Sequence, residues 1–313
     1  MKLVTYEPVA GCERLGILIG GKIIDLSLAG VAYQEATYSN LPVLPSDMMT
    51  FLNQGETAIQ AAGEIENWSK DQLNKEKNLK GFSGNVISFH LDEVRLRAPV
   101  PRPPKILCLA LNYQAHATEA NRVVPEKPYV FIKPGFAPVV GHNDRVIRPP
   151  ASKNFIFEGE LAVVIGRRCR CVPREKAYEY VAGYTVVNDM SARDLGKTNV
   201  PGLFDWFQAK AFDTSLPMGP CLTLKKEIPD PHKLELLVRV NGQVVQKVST
   251  GEMVFKIPET IEFLTDFITL EPGDIIATGT PGGSKGALKA GDQVEVEISN
   301  IGMLRSVVAD REG

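Results

Sequence analysis

The stretch FEGELAVVIG, residues 157–166, places two glutamates at the start of a continuous apolar run. Residues 161–165 do not alternate between apolar and polar side chains, so they predict a strand that is covered on both faces. Because side chains alternate along a strand, Glu158 and Glu160 point to the same side. Two carboxylates held this close repel each other, and burial makes it harder to keep both ionised. Solvent on that face, a shared proton or a bound cation would relieve the repulsion.

A bound cation makes the glutamate pair a candidate metal site, because hard divalent cations take oxygen ligands and gather carboxylates. The simpler interpretation is two surface glutamates before a strand, which is the commoner situation for an isolated Glu-x-Glu. The pair alone does not decide between them, so the rest of the chain has to be considered.

The composition is that of an ordinary folded protein. The chain has 313 residues, of which 44% are hydrophobic and 23% charged, and its formal net charge is −2. This length predicts one or two domains. The absence of a basic excess argues against nucleic acid as a partner. Neither a run of membrane-spanning length nor a signal-peptide core is present, and five scattered cysteines fit reduced thiols, so we expect a cytoplasmic protein without membrane association.

The N-terminal part is predicted to be a small α+β domain. Residues 2–6, 14–20 and 22–29 have the pattern of short strands, and residues 46–68 that of a helix. A proline-rich stretch, RAPVPRPPK at 97–105, marks the boundary between this part and the remainder of the chain. We therefore expect a domain over residues 1–80, a linker over 81–101 and a larger domain over 102–313.

The larger domain is predicted to be mainly β. Its strands include KILCLALNY, YVFIK and the glutamate strand. Asn241-Gly242 suits the two-residue turn of a hairpin, and a second hairpin ends the chain. Residues 257–268 carry apolar side chains on one helical face, with Pro258 near the start. The fold class is therefore mixed and mainly β.

Several motifs of this domain resemble those of fumarylacetoacetate hydrolases, and they occur in the same order. They are LALNYQAHATEA, YVFIKP, FEGELAVVIG, GYTVVNDMSARD, WFQAKAFDTSLPMGP, EPGDIIATGTPGG and AGDQVEVEISNIG, which together span about residues 102–309. The resemblance implies a catalytic β-roll around a central metal site, joined to a small N-terminal domain and assembled as a homodimer.

The resemblance also implies a ligand set for the metal. Glu158 and Glu160 match two ligands and Asp189, in VVNDMSARD, matches the third. Three carboxylates form a hard oxygen face that leaves positions for water and substrate. Mg²⁺ or Mn²⁺ suits such a site, and the residues leave Ca²⁺ open.

His116 and Glu119 are the candidate catalytic pair. They lie three residues apart, so on a short helix they share a face and can form a hydrogen bond. A lone histidine is usually structural, but a carboxylate partner fixes its tautomer and raises its basicity. In the family this pair belongs to a lid and activates water. Lys210 matches a lysine that stabilises negative charge on a substrate oxygen.

Further residues are implied in substrate binding. Lys133 and Gln208 match positions near the substrate, and Gly279 with Thr280 matches a loop that holds the substrate carboxylate. Arg193 and Asp194 are expected to brace the Asp189 loop. The simpler interpretations are a lysine at a strand end for Lys133, surface side chains for the other polar residues, and an ordinary tight turn at Gly279.

One departure from the founding hydrolase concerns Asn112, which stands where that enzyme has an aspartate ligand. This resembles the branch of the family that handles pyruvate. The sequence therefore predicts a divalent-metal-dependent hydrolase that cleaves a carbon–carbon bond in acylpyruvates, with pyruvate leaving as its enolate. Oxaloacetate decarboxylation and isomerisation of 2-hydroxyhepta-2,4-diene-1,7-dioate are the alternatives. A β-rich binding module with a structural ion is the alternative outside enzymes.

Overall fold

The computed structural model describes residues 1–76, 78–81, 83–119, 123–282 and 286–311, without the side chains of His116 and Glu119. Strands predominate. They are, in chain order, β1 Lys2–Val9, β2 Cys12–Ile19, β3 Lys22–Asp25, β4 Ser88–His90, β5 Arg95–Leu96, β6 Ile106–Ala110, β7 Tyr129–Lys133, β8 Val139–Val140, β9 Arg145–Arg148, β10 Phe155–Ile156, β11 Gly159–Ile165, β12 Val181–Asn188, β13 Ser191–Ala192, β14 Leu216–Leu224, β15 Glu235–Val240, β16 Gln243–Ser249, β17 Ile275–Ala277, β18 Gln293–Ile298 and β19 Gly302–Asp310.

The described helices are fewer than the strands. The α-helices are α1 Leu26–Thr37, α2 Met48–Gln54, α3 Glu56–Lys75, α4 Gln114–Glu119, α5 Trp206–Lys210 and α6 Ile257–Phe267, and the 3₁₀ helices are Leu91–Glu93, Arg174–Tyr180, Lys225–Glu227 and Thr250–Glu252. None of the described helices has the length and hydropathy that a membrane span requires.

One large mixed sheet runs through the molecule in the order β4-β3-β2-β1-β14-β12-β11-β17-β6-β7. β11 lies near its middle, antiparallel to both β12 and β17. Every residue of β11 is buried, which confirms the prediction of a strand covered on both faces.

A second sheet, with the order β16-β15-β18-β19-β9, packs against one face of the large sheet. Leu161 and Val163 of β11 share a core with Val238 and Val296 of this second sheet. Ala162 and Val164 point the other way, into a core that includes residues of α1, α2 and α3. The absence of alternation in the β11 sequence follows from these two cores. The mixed, mainly β fold expected from the sequence is thereby confirmed.

The N-terminal strands belong to the large sheet. β1 pairs with β14 through Lys2↔Thr223 and Leu3↔Leu222, and β2 and β3 extend the sheet from β1. The predicted strand over residues 22–29 is wrong in its second half, because β3 ends at Asp25. The Asp25 side chain accepts a hydrogen bond from the Leu28 backbone N–H at 2.9 Å, which caps α1.

Other sequence predictions are confirmed. The hairpin turn lies at Asn241-Gly242, and both residues have the positive φ that a tight hairpin turn of this type requires. The helix predicted after Lys256 is α6, which begins with Ile257 and Pro258. The final hairpin consists of β18 and β19.

Candidate metal centre and substrate cavity

The paired strands β11 and β12 bring three carboxylates together. Gly159 lies opposite Asn188, so Glu158 and Glu160 flank the point where β12 ends and Asp189 follows. The Asp189 backbone N–H donates to the Glu158 carbonyl at 2.8 Å. One carboxylate oxygen from each of Glu158, Glu160 and Asp189 lies within 4.8 Å of the other two.

Gly159 permits this arrangement because the second sheet comes very close on its side of β11. A Cβ at Gly159 would lie 2.8 Å from Val296 Cγ1 and 2.9 Å from Val238 Cγ2. The two glutamates point to the opposite face, away from this contact. A larger residue at 159 would therefore displace β11 and the carboxylates that it carries.

Two of the three carboxylates are almost fully buried. Glu160 and Asp189 are each 1% exposed, whereas the Glu158 side chain is 14% exposed. Burial, with the charges of Asp189 and Glu158, raises the pKa of Glu160 well above its usual value. Burial also disfavours ionised Asp189, but Lys133 and Lys210 outweigh it and hold the pKa of Asp189 below its usual value.

Two buried lysines neutralise part of this charge. Lys210 Nζ donates to Glu158 Oε2 at 2.6 Å and to Asp189 Oδ2 at 2.7 Å. Lys133 Nζ donates to Asp189 Oδ1 at 2.6 Å and to the Lys210 carbonyl oxygen. With all three carboxylates ionised, the two ammonium groups leave an excess of one negative charge. A bound cation would balance this charge and favour the ionised form of Glu160.

The donor set fits a hard divalent cation. All three groups offer carboxylate oxygens from rigid strand ends, and none offers sulfur or nitrogen. The Gly279 backbone N–H donates to Glu160 Oε2 at 2.7 Å and thereby orients this carboxylate. Glu158, Glu160 and Asp189 therefore suit Mg²⁺ or Mn²⁺.

A cavity of about 180 Å³ opens beside Glu158 and Lys210. Its polar lining comes from Glu158, Ser191, Arg193, Lys210 and Thr280. The rest of the lining consists of Leu109, Ala110, Leu111, Tyr129, Phe131, Gly202, Phe204 and Trp206. A small anionic molecule placed here would meet the ammonium and guanidinium groups and an apolar surface.

Thr280 contributes an unusual feature to the cavity. The residue is 5% exposed, and its hydroxyl has no hydrogen-bond partner among the described residues. Buried hydroxyl groups are normally paired, so an unpaired one on a cavity wall points to a ligand. Thr280 follows Gly279, whose φ of +91° belongs to the left-handed region that favours glycine.

The structure does not bring all the predicted residues to the cavity. Lys133 is 0% exposed and contacts Asp189 behind the cavity wall. Gln208 is exposed, and its side-chain amide donates to Asp205 Oδ2 at 2.9 Å. Gln208 lies two residues after Trp206 on α5, so the two side chains point to different sides of the helix. The side chains of His116 and Glu119 lie outside the described residues; the backbone of both belongs to α4.

Sequence reasoning missed three contributors. Arg193 was expected to brace a loop, but it lines the cavity. Asp194 does brace, because it accepts hydrogen bonds from Ser152 Oγ and the Lys153 backbone N–H, both at 2.7 Å. Trp206 also lines the cavity, and its four-residue spacing from Lys210 would have placed the two on one helical face.

Asn112 is the third contributor, because its structural role was not predicted. Its side-chain N–H donates to the carbonyl oxygens of Thr278 at 2.8 Å and Phe255 at 3.1 Å, and its oxygen accepts from the Phe255 backbone N–H at 2.7 Å. The amide is thus fully used in joining the start of α4 to the segment before Gly279. An aspartate could not donate these bonds.

Comparison with known proteins places this site in a family. Residues 105–309 match the family model described as fumarylacetoacetate (FAA) hydrolase C-terminal. The mitochondrial oxaloacetate tautomerase Fahd2a of Rattus norvegicus is 38% identical over 97% of this chain and 90% of the relative. The oxaloacetate tautomerase YisK of Bacillus subtilis is 38% identical over 98% of this chain and all of the relative.

The fold is also found among solved structures. Maleylpyruvate hydrolase from Sphingobium sp. SYK-6, in complex with manganese(II) ion and pyruvate, is similar with a TM-score of 0.74 and 30% identity. The similarity covers 100% of both chains. It therefore includes the N-terminal strands as well as the part that carries the carboxylates.

Proposed function

Because the chain belongs to the fumarylacetoacetate hydrolase family, we propose that it is a divalent-metal-dependent tautomerase of a small 2-oxo dicarboxylate such as oxaloacetate. The observation that carries this proposal is the meeting of Glu158, Glu160 and Asp189 within 4.8 Å beside a cavity that Lys210 also lines. The 38% identity to two oxaloacetate tautomerases over nearly their whole length supports the choice of reaction.

The three carboxylates would hold the cation. When bound, Mg²⁺ or Mn²⁺ would act as a Lewis acid toward a 2-oxo carboxylate and favour its enol form. Glu160 would be fixed for this role by the Gly279 backbone N–H, and Asp189 by Lys133. The manganese(II) ion in the maleylpyruvate hydrolase complex favours Mn²⁺ as the first ion to test.

Lys210, Thr280 and Arg193 would bind the substrate. The Lys210 side chain is 5% exposed and lines the cavity, where its ammonium group would stabilise negative charge on the substrate 2-oxygen. The unpaired Thr280 hydroxyl would donate to the adjacent carboxylate. The Arg193 guanidinium would bind the distal carboxylate, because a planar fork of donors matches that group.

His116 and Glu119 are proposed to move the proton. Keto–enol interconversion transfers a proton between carbon 3 and the 2-oxygen of the substrate. In the enol-forming direction the His116 imidazole would take the proton from carbon 3 and deliver it to the 2-oxygen, and ketonisation would reverse this transfer. Glu119 would fix the tautomer of His116. Their three-residue spacing within α4 supports this pairing.

The acylpyruvate hydrolase predicted from the sequence is the second candidate. Similarity to maleylpyruvate hydrolase over the whole chain favours it. Its residue roles would be the same, except that His116 would activate water for attack on the distal carbonyl. Decarboxylation of oxaloacetate and isomerisation of longer oxo-diacids also begin from an enol or enolate, so each needs its own assay.

The experiment follows three reactions of metal-stripped protein reloaded with Mn²⁺ or Mg²⁺. Loss of the enol absorbance of oxaloacetate reports tautomerisation, pyruvate release from oxaloacetate reports decarboxylation, and pyruvate release from acetylpyruvate or fumarylpyruvate reports hydrolysis. We expect fast, metal-dependent tautomerisation, which His116→Ala and Glu160→Gln each reduce by about 100-fold or more.

Glu235→Gln is the matched control, because Glu235 lies on β15 at the surface and pairs with Lys247. It should leave the rate unchanged. Tautomerisation that survives both chelation and Glu160→Gln would overturn the metal role. Pyruvate release from an acylpyruvate in place of tautomerisation would establish the second candidate. Metal-dependent oxalate binding without turnover of any compound would favour a binding module.

We propose that the protein assembles as a homodimer, as the family resemblance implies, and that it works in a reducing compartment such as the cytoplasm, which its five free cysteines fit. Light scattering would test the assembly, and cell fractionation would test the location.

A further inference from the structure

The apolar part of the cavity lining contains an aromatic cluster, which we name the aromatic wall: Tyr129, Phe131, Phe204 and Trp206. Trp206 is its centre. The indole stacks on the Phe131 ring, with centroids 4.5 Å apart and planes inclined by 14°. Trp206 also makes edge-to-face contacts with Phe204 and Tyr129, whose ring centroids lie 4.8 Å and 5.8 Å from that of Trp206. Removing Trp206 would therefore open the wall more than removing any other member.

The aromatic wall begins next to the charged part of the cavity. Lys210 Nζ lies 5.4 Å from the centroid of the Phe131 ring. Trp206 and Lys210 lie four residues apart on α5, so they share the face that lines the cavity. We therefore expect a 2-oxo acid whose oxygen is bound at Lys210 to extend its chain along these rings.

The space along the wall is limited. A volume of about 180 Å³ is below the usual range for ligand pockets, which is roughly 300–1,000 Å³. Such a space favours a short unbranched acid over an acid with a phenyl or long acyl end.

Trp206 is less deeply buried than Phe131, although it packs against the same core. Phe131 is 9% exposed and belongs to the core beneath the sheet. Phe204 packs on Gly196, where a Cβ would lie 2.2 Å from its ring. Trp206 is half-buried at the start of a five-residue helix that Asp205 caps through the Gln208 backbone N–H. It can change with less effect on the fold.

From these contacts we infer that Trp206 is a specificity-determining residue, which restricts the cavity to short, unbranched 2-oxo dicarboxylates. Arg193, on the same cavity, supplies the cation for the second carboxylate. The inference rests on the proposed function in taking a 2-oxo acid as the ligand, but it concerns the size of the distal group and not the reaction.

The test compares Trp206→Ala and Trp206→Phe with wild type on oxaloacetate, acetylpyruvate and benzoylpyruvate. We expect Trp206→Ala to raise kcat/KM for benzoylpyruvate relative to the short acids by about tenfold or more, mainly through KM. Trp206→Phe should fall between wild type and Trp206→Ala. Trp68→Ala is the matched control, because Trp68 lies on α3 and packs against Tyr33 of α1, outside the cavity lining. It should leave the ratio unchanged.

Calorimetric binding of oxalate and phenylpyruvate to Mn²⁺-loaded protein makes the test independent of turnover. We expect Trp206→Ala to gain about tenfold in affinity for phenylpyruvate relative to oxalate. An unchanged ratio in folded Trp206→Ala, by binding or by turnover, overturns the role of Trp206. If wild type turns over none of the compounds but Trp206→Ala still gains affinity for phenylpyruvate relative to oxalate, the proposed function is overturned and the role of Trp206 stands. If Trp206→Ala does not fold, the same ratios in Trp206→Phe decide.

Discussion

At the scale of single residues, the site is built by pairing each buried charge with a specific partner. Asp189, at 1% exposure, receives hydrogen bonds from the ammonium groups of both Lys133 and Lys210. A buried carboxylate without such partners would be strongly destabilised. Lys133 is itself 0% exposed, so its buried charge is stabilised by Asp189 just as that of Asp189 is stabilised by Lys133. From this pairing we propose that Lys133 positions Asp189, whereas the sequence predicted that Lys133 contacts substrate.

Lys133→Met tests these two roles. It removes one cationic partner of Asp189, so we expect the free energy of unfolding without divalent metal to fall by about 3–5 kcal/mol. Added Mn²⁺ should restore part of this stability, because a cation near Asp189 replaces the lost charge. Denaturant unfolding with and without Mn²⁺ measures both effects.

Lys105→Met is the control for that substitution. Lys105 pairs with the buried Asp274, which lies beside Ile165 at the opposite end of β11 from the two glutamates. Its loss should therefore destabilise the protein without a matching response to Mn²⁺. A raised KM in Lys133→Met with unchanged stability would instead support direct substrate binding by Lys133.

The Tyr6–Asp25–Arg14 cluster gives a pH-dependent contribution to stability. Burial alone would raise the pKa of Asp25, but hydrogen bonds from Arg14, the Leu28 backbone N–H and Tyr6 together hold the pKa below its usual value. A group with a lowered folded-state pKa stabilises the fold above its unfolded pKa of about 3.9, and this contribution is lost as the pH falls through the folded-state pKa.

Asp25→Asn should therefore cost about 3 kcal/mol at pH 7, and the difference from wild type should shrink as the pH falls below about 4. Urea unfolding across this pH range measures it. Asp47→Asn is the control, because Asp47 caps α2 at an exposed site through the Thr50 backbone N–H. A constant difference between Asp25→Asn and wild type from pH 7 to pH 3 would contradict the linkage.

The sequence could predict the roles of those site residues that a local pattern or motif marks. The side to which Glu158 and Glu160 point follows from strand alternation alone, and the motif resemblance added Asp189. Lys133 was assigned to substrate because no local pattern reveals that its ammonium turns inward to Asp189. For the same reason the sequence does not indicate that Arg193 lines the cavity while Gln208 is outside its lining, since their directions depend on the start of α5 and the path of the chain after β13.

At the scale of elements, the segment after β17 connects the metal centre to the cavity. Its Gly279 N–H holds Glu160, and the next residue is the unpaired Thr280. Asn112 fixes the same segment from the other side through the Thr278 carbonyl oxygen. The start of α4, which carries His116, is thereby joined to the segment that orients a metal ligand. Neither strand periodicity nor helix periodicity could predict this link, because it depends on an amide 166 residues away in sequence.

Gly279→Ala tests the connection. A Cβ at this position would lie 2.9 Å from Asn112 Cβ and 3.1 Å from the Leu109 carbonyl oxygen, in addition to the strain of a φ of +91°. We expect a loss of about 2–3 kcal/mol in stability together with weaker Mn²⁺ binding, because the N–H bond to Glu160 must shift. Calorimetric titration with Mn²⁺ and thermal unfolding measure the two effects.

Gly291→Ala separates strain from crowding. Gly291 has the same φ of +91°, but a Cβ there would meet nothing within 4 Å. It should lose about 1–2 kcal/mol from backbone strain alone and bind Mn²⁺ normally. Equal Mn²⁺ affinities in the two variants would show that the Asn112–Gly279 contact does not matter for the metal ligand.

At the scale of the whole molecule, the large sheet joins the N-terminal strands to the strands that carry the site. Leu3 of β1 and Val164 of β11 belong to the same core, although 161 positions separate them in the sequence. The sequence predicted the individual strands well, but the pairing of β1 with β14 has no local signal. The division proposed at residues 80–102 therefore rests on the composition of the chain. Whether the two parts fold independently is a separate question.

We predict that the fragment 102–313 does not fold independently. Removing residues 1–101 would expose the edge of β14 and the core face formed by Ala162, Val164 and Ile275, and exposed sheet edges and apolar faces promote aggregation. The intact chain should unfold in one cooperative transition, and the fragment should be insoluble or bind a hydrophobic dye. A protease site inserted at the exposed Gly84 is the control, because after cleavage β1 stays paired with β14 and both pieces should purify together. A monodisperse fragment that melts within a few degrees of the intact chain would instead support an autonomous domain.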